Sequence, residues 1–473
     1  MNITAPKPPV KSKSLNRLEK FFLALPIPAT SLSAVLIHNV YIKFYTDLIG
    51  LHPNYVGVVY LIYNIWNFAN DPMIGIWIDR RHYQRGKGKF LYLMRVSAPF
   101  MILCLIGMLW SQPTWPQWVI FIFLTVSLFI YDTFSTIYII STNSFILLAA
   151  PTREERVDVN IYQTYVANVI SFFATLVPTF LLVGQKDNNR TLVTLILMGV
   201  ILFNAAVYGI ALWKLEDKEE YYLHGNIERA FGLRELISEL KILFRSRSFT
   251  TWALYSIFAL APGSIYFTAF LYLMDHVIRA ESLQATIADV APMLVVFALL
   301  PFIGKFIKHF GGKTTIFISV IPYIIGHVLL YFTGNWLAAL LAYIPIMLGR
   351  YGMSTANAPL AAALIDENEE MTGERRPGLI NALIALLAAP AVSSQLAIFM
   401  GILSYYGYDA ERNIQTAGAM QGIRIATCVI PIVFVVIGII PLIFFPINKE
   451  REAELSAYSE ARRHGLTEAP PEL

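Results

Sequence analysis

Long apolar segments follow one another along almost the whole chain. A helix needs about 20 consecutive apolar residues to cross the roughly 30 Å hydrocarbon core of a membrane. The chain is 56% hydrophobic and 14% charged, whereas about a quarter of the residues in a soluble domain are charged. An ordinary soluble protein is therefore excluded, and twelve membrane helices are predicted at 21–46, 54–78, 90–111, 117–147, 159–184, 191–213, 249–274, 284–307, 314–333, 336–364, 378–406 and 418–446.

A charged stretch divides these helices into two groups of six. It contains many Lys and Glu residues and an amphipathic run, which predicts a helix lying on the membrane surface. We therefore expect an all-α membrane protein built from two six-helix bundles. The predicted division is a cytoplasmic N-terminus at 1–20, an N-terminal bundle at 21–213, a linker at 214–248, a C-terminal bundle at 249–447 and a charged, disordered tail at 448–473.

The distribution of Lys and Arg predicts which side of the membrane each loop faces. With the N-terminus inside, 28 of these residues lie in inner segments, four in outer loops and four within helices. Cytoplasmic loops of membrane proteins carry such an excess of basic residues. We therefore expect both termini in the cytoplasm and a multi-pass protein of the cell membrane, whether plasma or cytoplasmic membrane.

The loops between the helices offer no chemistry for catalysis. No nucleophile with an adjacent base, phosphate-binding loop or cluster of metal ligands stands out in them, and both cysteines lie in apolar runs. The basic residues are scattered, which argues against nucleic acid as a partner. We expect no enzymatic activity, no cofactor and no resident metal. We expect a monomer whose partners are a small-molecule substrate and the lipid bilayer.

The second predicted helix carries an acid at membrane depth. Asn67 and Asp71 are four residues apart and Asn70 lies beside them, so that all three share one helical face. A carboxylate inside the bilayer costs at least a few kcal/mol, and such residues usually mark the path of an ion or substrate. Asp71 is therefore the leading candidate for coupling to a cation, with Asn67 and Asn70 beside it. The alternative is a structural ion pair with Arg95 of the third predicted helix.

Two charged motifs resemble those of one transporter family. The first is NDPMIGIWIDRR at 70–81, followed by RGKGKF at 85–90, and the second is AAALIDENEEMTGERRPGL at 361–379. Both resemble the glycoside-pentoside-hexuronide:cation symporter family, the melibiose-permease branch of the major facilitator superfamily. The resemblance implies the major facilitator fold. It also implies a secondary active transporter that moves a sugar, glycoside or uronate-like solute by alternating access, coupled to H⁺ or Na⁺.

We expect the charged residues of these motifs to act as gates. In the outward-facing state of such a transporter, the inner loops of the two bundles pack together. Both motifs lie at the predicted inner ends of helices, where this packing would occur. The expected gating residues are Asp79, Arg80, Arg81, Asp366, Arg375 and Arg376.

The chain departs from the family at several charged positions. Melibiose-type members have a second acid one helical turn before the coupling acid, where this chain has Asn67. Four charged positions of the family's sugar site correspond to Ser31, Ile139, Thr164 and Ala389. Because an amide supplies an oxygen but no charge, the first departure weakens a sodium site. The other four argue against a galactoside-type substrate.

Two charged residues near mid-membrane are candidates for substrate binding. Arg350 could bind an anionic substrate, with pairing inside its own bundle as the alternative. Asp132 could replace the missing sugar-site acid, or it could pair with a neighbouring polar helix. The remaining candidates suit sugar hydroxyls or stacking, although each is also a typical helix-packing residue; they are Trp66, Tyr138, Asn143, Thr164, Asn357 and Asn381.

Two other basic residues are interpreted as anchors at outer helix ends. Lys43 can pair with Asp47 four residues further on and reach the outer surface. Arg424 lies near another predicted outer end. Neither residue is included in the candidate site.

Three other functions remain open on the sequence alone. An uncoupled uniporter would need no ion site. A lipid or lysolipid transporter of the same fold would suit the loss of the charged sugar-site positions. A non-transporting membrane receptor is the third alternative.

Overall fold

The residues that the structure describes are almost entirely helical. This computed structural model describes residues 15–150, 155–183, 190–218, 243–372 and 394–463, apart from short gaps at 82, 85–87, 156–157, 161, 164, 168, 171–178, 181, 261, 411 and 413. In the first half, the helices are α1 (Arg17–Leu48), α2 (Pro53–Asp79), α3 (Phe90–Met108), α4 (Gln117–Ala149), α5 (described in part between 158 and 182) and α6 (Arg190–Trp213).

The second half repeats this arrangement. Its helices are α7 (247–278), α8 (Ser282–Phe310), α9 (Gly312–Phe332), α10 (Trp336–Thr372), α11 (Ser394–Tyr405, preceded by residues outside the described part) and α12 (Ala417–Ile443). Eight helices in the described part of the chain are long and apolar enough to cross a membrane. Each of the twelve predicted segments overlaps one of the observed helices.

Several helices extend further than their apolar runs predict, as α1 and α10 illustrate. The first helix begins at Arg17 because Asn16 and Glu19 form a capping box that satisfies the first backbone N–H groups. Helix α10 continues past the predicted end at 364 to Thr372. Its polar end contains good helix formers and no proline or glycine, so the helix continues without an apolar surface to bury.

Helices α9 and α10 pack closely because glycine removes the side chains between them. A Cβ atom added at Gly349 would lie 2.5 Å from the Ser319 carbonyl oxygen, and one at Gly326 would lie 2.6 Å from Ile346. Small residues allow membrane helices to approach in this way and to gain dispersion contacts. The contact fixes the position of α10, which carries Arg350.

Several membrane helices contain wide π-helical turns. In α1 they span Leu36–Val40 and Phe44–Leu48, and in α7 one spans Leu273–Ile278. Such turns insert a residue into the helix, rotate the following side chains and are frequent at functional sites. Those in the second halves of α1 and α7 carry Asp47, Asp275 and His276.

The bundles have two opposite ends, which we name by their contacts. At the terminal face, the Leu15 amide donates to Glu155 and Lys20 pairs with Asp158 at 2.6 Å. The distal face lies at the other end of α1, where Asp47 and His276 are found. Cross-bundle contacts close the distal face, including the bond between Thr46 and the Tyr272 hydroxyl.

The sequence predicts a disordered tail directly after α12, but this prediction is wrong for residues 449–463. A further helix, α13 (Lys449–Arg463), packs against α10 and buries Leu455 completely. Arg451 of α13 pairs with Glu370 of α10. The charged composition gave no indication of this helix, which the buried Leu455 and the Arg451–Glu370 ion pair hold against α10. The predicted amphipathic linker helix lies largely outside the described residues.

Candidate functional site

A cavity of about 410 Å³ lies between α1, α2 and α4. Its volume falls within the range of about 300 to 1,000 Å³ that is usual for small-molecule sites. The wall combines carboxylates with hydroxyl, amide, imidazole and phenol groups. Its polar and aromatic residues are Thr30, His38, Tyr63, Asn67, Asp71, Tyr131, Asp132, Ser135 and Thr136.

Two carboxylates from different helices share this cavity. Asp132 of α4 is 2% exposed and accepts hydrogen bonds from the amide nitrogens of Asn67 at 2.7 Å and Asn70 at 2.5 Å. Asp71 of α2 accepts a hydrogen bond from Thr136 Oγ1 at 2.8 Å. The same Thr136 oxygen lies 3.3 Å from Asn70 Oδ1. A polar network therefore joins the two carboxylates through Thr136 and Asn70.

Helical spacing explains why these groups meet. Asn67 and Asp71 are four residues apart on α2, and Asp132 and Thr136 are four apart on α4, so each helix presents a polar stripe. The two helices pack against each other with these stripes in contact. Carboxylate, amide and hydroxyl oxygens can hold a small hard cation, and either carboxylate can take a proton.

Arg350 is held away from this network. Its guanidinium donates a hydrogen bond to the Gly263 carbonyl at 2.9 Å and lies 5.0 Å from the centre of the Tyr266 ring. A Cβ atom added at Gly263 would lie 3.2 Å from Arg350 Nε, so the glycine leaves room for the guanidinium. These contacts correspond to the pairing alternative, within the second half of the chain.

Comparison with known proteins identifies the family of this chain. The family model for MFS/sugar transport proteins matches residues 22–449 of the chain. The chain belongs to the MFS/sugar transport protein family. The resemblance found in the two charged motifs is thereby confirmed.

Relatives match this MFS/sugar transport protein over nearly its full length. The uncharacterized symporter YnaJ of Bacillus subtilis (strain 168) is 24% identical over 451 residues, covering 93% of this chain and 94% of the relative. The isoprimeverose transporter of Lactiplantibacillus pentosus is 22% identical over 448 residues, covering 91% of this chain and 89% of the relative.

A solved structure confirms the fold. The crystal structure of a D-xylose-proton symporter matches with a TM-score of 0.63 at 13% identity, covering 92% of this chain and 99% of that chain. The predicted fold class, two six-helix bundles of the major facilitator type, is confirmed. This MFS/sugar transport protein is therefore a multi-pass membrane transporter.

The alternative interpretation of Asp71, an ion pair with Arg95, is wrong. The Arg95 guanidinium donates to the carbonyl oxygens of Leu212 at 3.1 Å and Leu215 at 3.0 Å, at the end of α6. Asp71 instead takes its hydrogen bond from α4. Asp132 does pair with a neighbouring polar helix, and it contacts Asn67, the position at which melibiose-type members carry their second acid.

Several predicted substrate residues pack between helices. Trp66 stacks on Phe129 with ring centres 4.9 Å apart, and the Tyr138 hydroxyl donates to the Pro26 carbonyl at 3.3 Å. None of the remaining described candidates lines the cavity. Asn357 accepts a hydrogen bond from Trp252 Nε1 at 2.9 Å, and Asn143 is exposed on α4. Thr164, Asn381, Arg375 and Arg376 lie outside the described residues.

The predicted gating residues that the structure describes lie at the terminal face. Arg80 and Arg81 follow Asp79 at the end of α2, and the Arg81 guanidinium lies 4.1 Å from the centre of the Trp77 ring. Asp366 is buried in the last part of α10. The sequence analysis did not predict a further contact, which holds the basic loop between α2 and α3.

That contact comes from Asp217, which follows α6. Its carboxylate accepts hydrogen bonds from the backbone amides of Lys89 at 2.9 Å and Leu91 at 3.3 Å. Asp217 thus caps the first turn of α3 from a distant part of the chain and holds the end of the basic loop. Sequence spacing gave no signal for this pairing.

Sequence reasoning also missed a charged cluster at the distal face. Lys43 pairs with Asp47, as predicted, but it does not reach the surface, because its side chain is only 1% exposed. Its ammonium also lies 2.7 Å from Asp275 of α7. We call Lys43, Asp47, Asp275, His276 and Tyr408 the distal cluster. Arg424, in contrast, anchors a helix end as predicted, since it donates to the carbonyl oxygens of Tyr331 and Thr333.

The cavity contains residues that the sequence did not single out. His38 and Thr30 come from α1, and Thr136 and Ser135 follow Asp132 on α4. The position of Thr136 could have been predicted, because it lies one helical turn beyond Asp132 on the same face of α4. His38 had none, since a lone histidine on an apolar helix gives no indication of which neighbour it faces.

Proposed function

We propose that this chain is a cation-coupled secondary transporter of a neutral sugar or glycoside. The observation that carries the proposal is the pair of linked carboxylates, Asp71 and Asp132, in one membrane cavity. Membership of the MFS/sugar transport family supplies the transport class. The coupling ion, H⁺ or Na⁺, binds at this pair.

The linked carboxylates explain how an ion would control the transporter. Two negative charges in a membrane cavity repel each other and lack the solvation of bulk water. A proton or Na⁺ relieves this repulsion, and it also changes the hydrogen bonds of Thr136 and Asn70, which join α2 to α4. Ion binding is thus linked to the packing of these helices.

The charge of the cavity favours a neutral substrate over an anion. Hydroxyl groups of a sugar can donate to Asp71 and exchange hydrogen bonds with Ser135 and His38 on the wall. The described lining residues include two acids and no Lys or Arg. Arg350, the cation that could serve an anionic substrate, is occupied by the Gly263 carbonyl and the Tyr266 ring.

In an alternating-access transporter, the terminal and distal faces lie on opposite sides of the membrane. The excess of basic residues in the loops at the terminal face supports a cytoplasmic location for that face and for both termini. The distal face is then external, and this conformation is closed on the outside. The cavity carboxylates are exposed to the two sides of the membrane in turn.

Uptake into proteoliposomes tests the proposal. The panel contains matched neutral and uronate forms of the same sugars together with a lysolipid, each measured with and without imposed H⁺ or Na⁺ gradients. We expect gradient-driven accumulation of a neutral sugar or glycoside by the parent protein. Asp71→Asn and Asp132→Asn should abolish accumulation but retain exchange, because an amide cannot bind the proton and holds Na⁺ weakly.

The matched control is Asp158→Asn, which removes an acid at the terminal face whose side chain is 47% exposed. It should accumulate substrate like the parent. Equal accumulation by the parent and both cavity variants would reject the coupling role. Transport of only the lysolipid or only uronates would reject the proposed substrate class.

A further inference from the structure

The cavity between α1, α2 and α4 changes from polar to apolar along α4. Its first lining residues on this helix are Asp132, Ser135 and Thr136, and its last are Ile139 and Ile140. At 1.5 Å per residue, Ile139 lies about 10 Å beyond Asp132 along the helix axis. This spacing is close to two full helical turns, so both side chains point to the same side of α4. We call Ile139 and Ile140 the apolar end of the cavity.

Ile139 is open to an occupant of the cavity. It is 37% exposed, whereas the preceding Tyr138 is completely buried and its ring centre lies 5.2 Å from that of Tyr208 on α6. Ile140 continues the aliphatic surface toward α2, where a Cβ atom added at Gly75 would lie 4.0 Å from Ile140 Cδ1. An apolar group bound here would cover the exposed surface of Ile139 and remove it from water.

Both threonines on the cavity wall donate their hydroxyl protons within the protein. Thr136 Oγ1 donates to Asp71 at 2.8 Å, and Thr30 Oγ1 donates to the Ile27 carbonyl at 2.7 Å. A hydroxyl group has a single proton to donate. A substrate hydroxyl placed against Ile139 would therefore lose water without gaining a donor from either threonine, whereas an apolar group would gain from leaving water.

From this arrangement, we propose that Ile139 determines substrate specificity and that the substrate is a neutral sugar carrying an apolar substituent. The inference rests on the proposed function and adds the class of sugar and its orientation. Hydroxyl groups at one end of the substrate contact Asp71 and Asp132, and the apolar substituent lies against Ile139. A 6-deoxy sugar and a methyl glycoside both have this chemistry.

A purely structural role for Ile139 makes a different prediction. In that case, Ile139 would only pack against the other half of the chain when the terminal face closes. A substitution would then change the fraction of protein that can bind, which scales the apparent affinity of every ligand of that conformation by the same factor. The ratio of the affinities for two such ligands cancels this factor, so the ratio reports contact with the substrate.

The test measures equilibrium binding to purified protein in lipid nanodiscs, with pH and Na⁺ held fixed and no ion gradient. Nanodiscs are needed because glycoside detergents themselves carry an apolar group on a sugar. The probes are glucose, galactose and mannose, each compared with its 6-deoxy form and with both of its methyl glycosides. We expect at least one substituted form to bind about tenfold or more tightly than its parent sugar, as is usual for discrimination by an apolar pocket.

Ile139→Asn should abolish this preference, because the amide can both donate to a substrate hydroxyl and accept from one. Ile139→Leu is the matched control and should keep the preference, since leucine and asparagine both branch at Cγ and differ mainly in polarity. A preference that survives in folded Ile139→Asn, or that is absent in the parent although the sugars bind, would overturn this inference and leave the proposed function standing. Binding of none of the sugars would reject the proposed substrate class and this inference together.

Thiol protection provides a second check that does not depend on affinity ratios. After both native cysteines are replaced by alanine, Ile139→Cys and Asn143→Cys each place a thiol on α4, one helical turn apart. The preferred probe at saturation should slow modification of the thiol in Ile139→Cys. It should not protect Asn143→Cys, because Asn143 is exposed and does not line the cavity. Protection of Asn143→Cys alone, or of neither thiol, would overturn the placement of the substituent against Ile139.

Discussion

The amide nitrogen of Asn67 lies 2.7 Å from Asp132 Oδ1, so an uncharged residue of α2 supports an acid supplied by α4. Melibiose-type relatives carry an acid at the position of Asn67. In this chain, the second carboxylate reaches the same region from the neighbouring helix. One of the two cavity carboxylates is therefore supplied by α4 and not by α2.

Asn67→Asp should make the protein depend on a cation for stability. The substitution removes a donor to Asp132 and places a third negative charge beside it, which should cost about 1–3 kcal/mol in buffer without Na⁺. Adding Na⁺ should recover much of this loss. Thermal unfolding in Na⁺ and choline buffers checks the effect, with Asn54→Asp as the exposed control. Identical unfolding temperatures for Asn67→Asp in both buffers would contradict it.

Thr136→Val should uncouple the two carboxylates. Valine has a similar shape but cannot donate to Asp71, so the carboxylate loses a 2.8 Å hydrogen bond. If the coupling ion is Na⁺, losing a hydroxyl oxygen worth about 1 kcal/mol predicts roughly a fivefold weaker apparent affinity for it. Ion-dependent uptake is the measurement, and Thr136→Ser, which keeps the hydroxyl, is the control. A parent-like ion dependence in the valine variant would show that the hydroxyl has no role.

Arg350→Gln should lower folding stability without changing the preference for a neutral over a charged substrate. The guanidinium holds the Gly263 carbonyl and faces the Tyr266 ring, so its loss should cost about 1–3 kcal/mol of folding stability. Purified, folded variant should transport a hexose and its hexuronate in the same ratio as the parent. A selective loss of the hexuronate would instead restore the anion-binding interpretation of Arg350.

Gly349→Ala should separate α9 from α10. The added methyl group would lie 2.5 Å from the Ser319 carbonyl oxygen and 2.6 Å from Tyr323 Cβ, so backbone must move at a cost of about 1–3 kcal/mol. Gly199→Ala on α6 is the control, because its Cβ meets nothing within 4 Å. Thermal unfolding of both variants in one detergent checks the difference. Equal unfolding temperatures would contradict this account of the helix contact.

Features confined to one helix could be predicted from the sequence. Apolar length located the membrane segments, and spacing on α2 placed Asn67 and Asp71 on the cavity side. Hydrophobicity and helical period are local properties, so no knowledge of neighbouring helices is needed for these conclusions. The start of α1 at Arg17 was missed because its capping box lies outside the apolar run.

Features that join distant helices could not be predicted. The alternative ion pair of Asp71 with Arg95 was inferred from depth alone, but depth does not determine which way a side chain points around its helix. The same limit hid the contact of Lys43 with Asp275, residues that lie more than two hundred positions apart. The π-helical turn at Phe44–Leu48 adds a rotation that a regular helical wheel does not contain.

The cation gradient that just stops net substrate flux tests the central claim most directly. Proteoliposomes hold a fixed excess of substrate inside, and the opposing H⁺ or Na⁺ gradient is varied until net flux is zero. The account predicts a finite balancing gradient of one of these ions for the parent. For Asp71→Asn and Asp132→Asn, substrate should run down its own gradient at every cation gradient applied. Parent flux that is indifferent to both ions, or the same balancing gradient in the two variants, would contradict coupling at these carboxylates.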